Sequence, residues 1–454
     1  MTPLAALALV AGTLAVLLIL VLGLRLHAFP ALLLTALLAA LAGGVPMTEI
    51  VDVLRQAMGG TLGYIAVVIG LGAMFGEMLY QSGGARRIAD TLLASLGEER
   101  APTALGLTGL VVAIPVFFDV AFILLVPLLH TLVRRTGRSI VRFAVPLLAG
   151  LAVAHAFIPP TPGPVAVAGL LGADLGWVIL FGLAAGTPAL VVGGLLYGRW
   201  VAPPNGSKGV APVTPDEGPS PLQSPDQGLA AQPPGFALVT ALVALPLGLI
   251  LLSTVTSVVL DEGDPRRQVA GLVGHPFVAL LLALLLAFHL LGTRRGWSRE
   301  QLERLATRSL EPVGAILLLT GAGGCLGKVL LATGAGEVAA EWLQSSSLPM
   351  LLLAFLLALV VRIAQGSATV SMVTAAGLMA PLLAKGLAAP DRAALVVVIA
   401  AGATACSHVN DSGFWLVSRY LGLDTRDTLR IWTVTTALVG VTGLLGASLL
   451  AMVL

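Results

Sequence analysis

Residues 70–79 read G-L-G-A-M-F-G-E-M-L, and residues 321–330 read G-A-G-G-C-L-G-K-V-L. Gly70, Gly72, Gly76 and Gly83 match Gly321, Gly323, Gly327 and Gly334 at one constant offset, so a Gly-spaced segment occurs twice. Two further pairs fall at similar offsets. His155 in L-A-V-A-H (151–155) aligns with His408 in A-T-A-C-S-H (403–408), and Pro30 aligns with Pro276. Three segments in the same register argue for a duplicated chain.

Outside these segments the composition sets the solvent. Of 454 residues, 57% are apolar and 11% charged, against roughly 25% charged in a soluble domain. Mean hydropathy is +0.99, and the apolar runs approach the ~20 residues that a helix needs to cross a bilayer. A soluble globular protein is excluded. A formal net charge of +2 leaves no polybasic patch for nucleic acid. Cys325 and Cys406 are too few for a disulfide framework or a thiolate metal site, and both read as reduced thiols.

One stretch interrupts the apolar pattern. Pro203 to Pro234, rich in Pro, Gly, Ser and Gln, reads as a flexible linker between a first repeat at 1–202 and a second at 235–454. Spans are expected at about 4–24, 28–45, 61–80, 140–173 and 176–200, then at about 236–260, 273–292, 312–332, 393–417 and 430–453. The run from Leu4 to Leu24 reads as a retained first span rather than a cleaved leader. Two further apolar stretches, 103–133 and 348–388, are interrupted by P-V-F-F-D (115–119) and Q-G-S-A-T (365–369). Each reads as a re-entrant hairpin, because irregular backbone at membrane depth survives only against protein or water. The spans at 140–173 and 393–417 are broken at P-P-T-P-G-P (159–164) and H-V-N-D-S-G (408–413). The expected fold is all-α and polytopic: two inverted repeats, each of about five transmembrane helices plus one re-entrant hairpin, with helices broken at the midplane. Five crossings per half invert the second half. Most of the 25 Lys and Arg then fall on the linker side, which the positive-inside rule makes cytoplasmic, with both termini outside.

Ionisable residues within spans are costly and so mark function by default. Here they are Glu77, Asp119, His155, Lys328, Arg362, His408 and Asp411. Asp119, at the first hairpin tip, is a candidate proton carrier; its alternative use is an inter-helix hydrogen bond. His155 and His408 are candidate relays or structural hydrogen-bonding groups. Gly366, Ser367 and Thr369 precede a helix start whose free N–H groups suit a carboxylate, and Thr161 and Gly163 occupy the other break. Asn410, Asp411 and Ser412 supply oxygens for substrate hydroxyls or a cation; their alternative use is capping a half-helix. Arg362 suits a carboxylate, of substrate or of protein, and Glu77 with Lys328 reads as a structural pair between halves. The chain contains no G-x-S-x-G, H-E-x-x-H, Walker A or C-x-x-C motif, so an enzyme, a metal site and a cofactor are not expected.

Five stretches carry a resemblance that covers nearly the whole chain: G-A-M-F-G-E-M-L with S-G-G-A (72–85), F-F-D-V-A-F (117–122), H-A-F-I-P-P-T-P-G-P (155–164), R-I-A-Q-G-S-A-T-V (362–370) and C-S-H-V-N-D-S-G-F-W (406–415). In these the sequence resembles the gluconate permease family. The resemblance implies a proton-coupled importer of gluconate or a related sugar acid in the inner membrane, with the inverted-repeat fold of the ion-transporter superfamily and a homodimeric assembly. Its partners would be a small organic acid, a proton and the bilayer, and no nucleic acid. Three positions depart from the family pattern: Asp119 stands where Glu is more usual, Thr161 where a His often lies, and Ser412 where Pro often follows N-D. A sodium-coupled carboxylate transporter and an intramembrane enzyme are the alternative readings.

Overall fold

The computed structural model describes residues 2–202, 233–335, 338, 349–383 and 387–454. The expected linker at 203–234, but for residues 233 and 234, lies outside the described residues, as do Lys208 and Lys385 among the basic residues used for orientation. Among the described residues the protein is helical, without a strand.

The first half runs α1 (Pro3–Leu18), α2 (Ala28–Ala42), α3 (Met47–Gln81), α4 (Gly84–Leu96), α5 (Ala101–Val112), α6 (Phe118–Thr136), α7 (Ile140–Phe157), α8 (Pro162–Leu171) and α9 (Leu175–Val201). The second runs α10 (Phe236–Val259), α11 (Pro265–Val273), α12 (Pro276–Arg295), α13 (Arg299–Ser309), α14 (Val313–Ala332), α15 (Met350–Gln365), α16 (Ala368–Met379), α17 (Ala389–Thr404), α18 (Ser412–Leu421) and α19 (Thr425–Val453). Eight stretches among the described residues are long and apolar enough to cross a membrane, with α7 and α8 counted as one. The spans expected at 28–45 and 393–417 are instead a 15-residue helix and a 16-residue helix followed by a break. The span expected at 61–80 begins 14 residues earlier, and as α3 its 35 residues reach about 52 Å.

Each of the two apolar stretches expected as hairpins is split at its interruption into two helices, α5 with α6 and α15 with α16. α5 and α16, 12 residues each, are about 18 Å long, too short for a hydrocarbon core of roughly 30 Å. Each hairpin leans on the broken helix that follows it, α5 along α7 and α15 along α17. Contacts also cross between halves in matching ways: α2 packs on α14 while α12 packs on α3, α9 meets α19, and α8 meets α16. α7 and α17 form the centre. From Ala393 to Thr404 every residue is buried, as expected of a helix apolar all round, and almost all of α7 is buried too.

Glycine sets the closest approaches around this centre. A Cβ at Gly76 would run into the Pro115 carbonyl at the first hairpin tip. Gly76 therefore lets α3 seat directly on that tip, which gives the Gly-spaced segment a packing reason.

Candidate functional site

Two hairpin tips and two helix breaks converge on a cavity of about 410 Å³. α6 supplies Asp119 with Phe117 and Phe118 just before it; α7 supplies His155; α15 and α16 supply Arg362, Gln365, Gly366, Ser367 and Thr369. Further wall comes from Pro162 at the first break and from Thr404, Asn410 and Asp411 with Trp432 and Thr436 of α19.

The second hairpin turns where α15 ends at Gly366, with φ of +78°. A Cβ there would strike the Asn410 carbonyl, so a residue free of both restrictions is needed. Ser367 Oγ accepts from Val370 N at 3.4 Å. It leaves uncapped the Ala368 and Thr369 N–H groups, whose residues line the cavity at the positive end of α16.

Facing this helix start is a buried ion pair. Arg362, 4% exposed, donates to Asp411 Oδ2 and to the Gly366 carbonyl. Asp411 Oδ2 also accepts from Ser407 Oγ, and its Oδ1 accepts from Gly413 N at 3.0 Å. The Arg362 Nε is buried without a partner. His408 Nε2 lies 3.1 Å from the Ile363 carbonyl, which also accepts from Asn410 Nδ2 at 2.8 Å. The break thus satisfies one of the open carbonyls at the end of α15.

The first half contributes differently. Asp119 has no hydrogen-bond or ion-pair partner among the described residues, and the charge acting on it from across the cavity is Asp411. His155 Nδ1 is likewise buried and unpartnered, with its ring 6.4 Å from that of Phe118.

Of the residues expected from sequence, the structure brings Asp119, His155, Arg362, Gly366, Ser367, Thr369, Asn410 and Asp411 to this cavity. It does not bring Thr161, Gly163 or His408 there. Thr161 is buried and donates its hydroxyl to the Ile158 carbonyl at 2.6 Å. Gly163 is a contact point of α8 on α16, where a Cβ would meet Met372 Sδ at 2.6 Å. The second break opens at Ala405, three residues before His408, and this length lets His408 turn back onto α15.

The expected Glu77–Lys328 pair is not formed. Glu77 accepts from Gln81 Nε2 at 2.7 Å and feels the charge of Arg308 on α13, while Lys328 is exposed. The reason is helix direction. Gly321 and Gly324 of α14 face Met58 and Thr61 of α3, and Cys325 Sγ contacts the Leu54 carbonyl at 3.2 Å. As α14 advances, its contacts on α3 retreat; the two helices are antiparallel, and the matched positions lie on the order of 30 Å apart.

Sequence reasoning missed Trp432, Thr436, Thr404 and Ser407 as parts of this network. A lone Trp or Ser in an apolar run gives no signal of its own. The usable clue was the helix break itself, whose freed backbone needs partners from the next span.

Broken helices around a charged, half-enclosed cavity at the centre of a polytopic bundle define a membrane permease. The chain belongs to the GntP family of permeases, whose family model matches residues 4–453. It is 39% identical over 433 residues to the low-affinity gluconate transporter of Escherichia coli (strain K12), covering 95% of each chain. It is 38% identical over 443 residues to the gluconate permease of Pseudomonas aeruginosa, covering 96% of each. Its fold is similar to that of the YdaH transporter of Alcanivorax borkumensis, with a TM-score of 0.62 at 17% identity over 90% of this chain and 89% of that one. The protein is a multi-pass membrane transporter of the gluconate type, and not an enzyme.

Proposed function

We propose that the protein imports gluconate, or a closely related sugar acid, together with a proton across the inner membrane. The observation that carries this reading is the pairing, in one cavity, of an anion-receptive wall with an unpartnered carboxylate. Arg362 and the start of α16 suit the acid's carboxylate, and Asn410, with Asp411 beside it, suits the hydroxyls. Asp119, which lines the cavity without a hydrogen-bond partner among the described residues, is the group to take a proton. Bringing an anion next to Asp119 and Asp411 without a proton would stack like charges in a poorly hydrated space. A proton on Asp119 relieves that repulsion, so the loaded site favours the anion and proton together. His155, within the same cavity, is a relay candidate, while Thr161, Gly163 and His408 hold the surrounding backbone.

The antiparallel α3 and α14, and the reciprocal packing of α2 with α14 and α12 with α3, support two inverted repeats at 1–202 and 235–454 with re-entrant hairpins. The relatives named as gluconate transporters support the substrate. Within the same reading the linker is cytoplasmic, both termini lie outside, and the protein assembles as a homodimer.

Counterflow in proteoliposomes tests the substrate. Vesicles loaded with gluconate should accumulate labelled gluconate transiently, with competition by other aldonates and none by citrate. Absence of counterflow with any sugar acid would overturn the reading, and a strict need for sodium would replace the proton by a metal cation.

A further inference from the structure

We propose that Ser407 and Trp432 are positioning residues that hold Asp411 as a permanent anion on Arg362. Under the proton-coupled reading above, on which this consequence rests, proton carriage in the cavity is thereby left to Asp119.

An indole N–H only donates and a guanidinium only donates. Trp432 Nε1 donates to Ser407 Oγ at 2.7 Å, which fills one lone pair of that hydroxyl and turns its hydrogen toward Asp411 Oδ2. The same Oδ2 receives the Arg362 guanidinium, and Oδ1 receives the Gly413 N–H at 3.0 Å. Three donors, one of them charged, thus converge on the two Asp411 oxygens and favour its carboxylate form. By filling one lone pair of Ser407 Oγ, Trp432 favours the orientation in which that hydroxyl donates.

Ser407 is gripped well enough to enforce this. It is fully buried, its N–H donates to Thr436 Oγ1 at 3.1 Å, and its carbonyl accepts from Thr433 Oγ1. Trp432 and Thr433 lie in a π-helical turn, Leu429–Thr433, within α19. Such turns widen the helix and re-aim side chains, and they are frequent at functional sites. Here the Arg430 carbonyl in that turn accepts from the Tyr197 hydroxyl of α9, which pins the turn from outside the site. The titratable and charged groups facing Asp411 are Arg362 of α15, Asp119 of α6 and His155 of α7. α19 presents no titratable side chain to it.

Infrared titration of the purified protein in bilayers tests the proposal through the carboxylic-acid C=O band. Wild type should show no band that Asp411→Asn removes, whereas Ser407→Ala and Trp432→Phe should each gain one on acidification. Ser407→Thr, which keeps the hydroxyl, should restore the wild-type spectrum. The pH profile of gluconate uptake should gain a second titrating step in Trp432→Phe. An Asp411-dependent band in wild type overturns the proposal without need of any other variant, as does its absence from both Ser407→Ala and Trp432→Phe in monodisperse protein. If the Asp411 bands behave as expected but no band depends on Asp119, the positioning role stands and the assignment of the proton to Asp119 falls.

Discussion

The two helix breaks, one after α7 and one after α17, are built differently. The first, between α7 and α8, is built from proline and closes on itself: Thr161 satisfies the Ile158 carbonyl, and Gly163 is pressed against Met372. The second, between α17 and α18, is longer and polar, and it brings Asn410 and Asp411 to the cavity, where Asp411 pairs with Arg362 of α15. The first break presents Pro162 to the cavity where the second presents Asn410 and Asp411. The first half adds Asp119 and His155, and among the described residues neither Asp119 nor His155 Nδ1 has a hydrogen-bond partner.

The largest expected effect comes from the polar break. Arg362→Ala would strand Asp411 in a buried setting, a change that costs about 3–5 kcal/mol when one partner of a buried pair is removed. Uptake should be lost and thermal unfolding in detergent should move to clearly lower temperature; an unchanged transition would mean that the pair does not hold the break. Next is Gly76→Ala, which forces a methyl group into the Pro115 carbonyl and should cost about 1–3 kcal/mol by overpacking. Thermal unfolding would show it as a lower transition, and wild-type behaviour would show that the first hairpin tip has room to move. At the first break, Thr161→Val removes one hydrogen bond, about 1 kcal/mol. Uptake should persist with its pH profile intact; a large loss of affinity for gluconate would place Thr161 in the binding surface after all. The smallest effect belongs to Lys328→Ala, within about 0.5 kcal/mol and with unchanged uptake, since that side chain faces outward.

Much of this arrangement was legible in the sequence because it is written in residue types that the membrane penalises. Hydropathy marks spans, and Pro, Gly and small polar residues within them mark breaks, so the four interruptions could be placed from residue types alone. The glycine repeat also announced that matched positions exist. It did not announce where they meet: equivalence suggested that Glu77 and Lys328 pair, whereas the antiparallel course of α3 and α14 sends equivalent residues to opposite ends. Boundaries failed where sequence carries no penalty, as at Met47, where a polar helix turn continues past the apolar run. Trp432 and Ser407 were missed because their importance comes from a π turn and a contact between spans, neither of which leaves a local pattern.

If the anion and a proton enter together through the cavity that Asp119 shares with Arg362, as proposed, external pH reports their joint entry. Adding gluconate to a weakly buffered, de-energised suspension of cells or vesicles carrying the protein should make the medium more alkaline. Asp119→Asn, still folded and still exchanging labelled gluconate, should abolish that change. Gluconate entry with no alkalinisation, or alkalinisation that survives Asp119→Asn unaltered, would contradict the account.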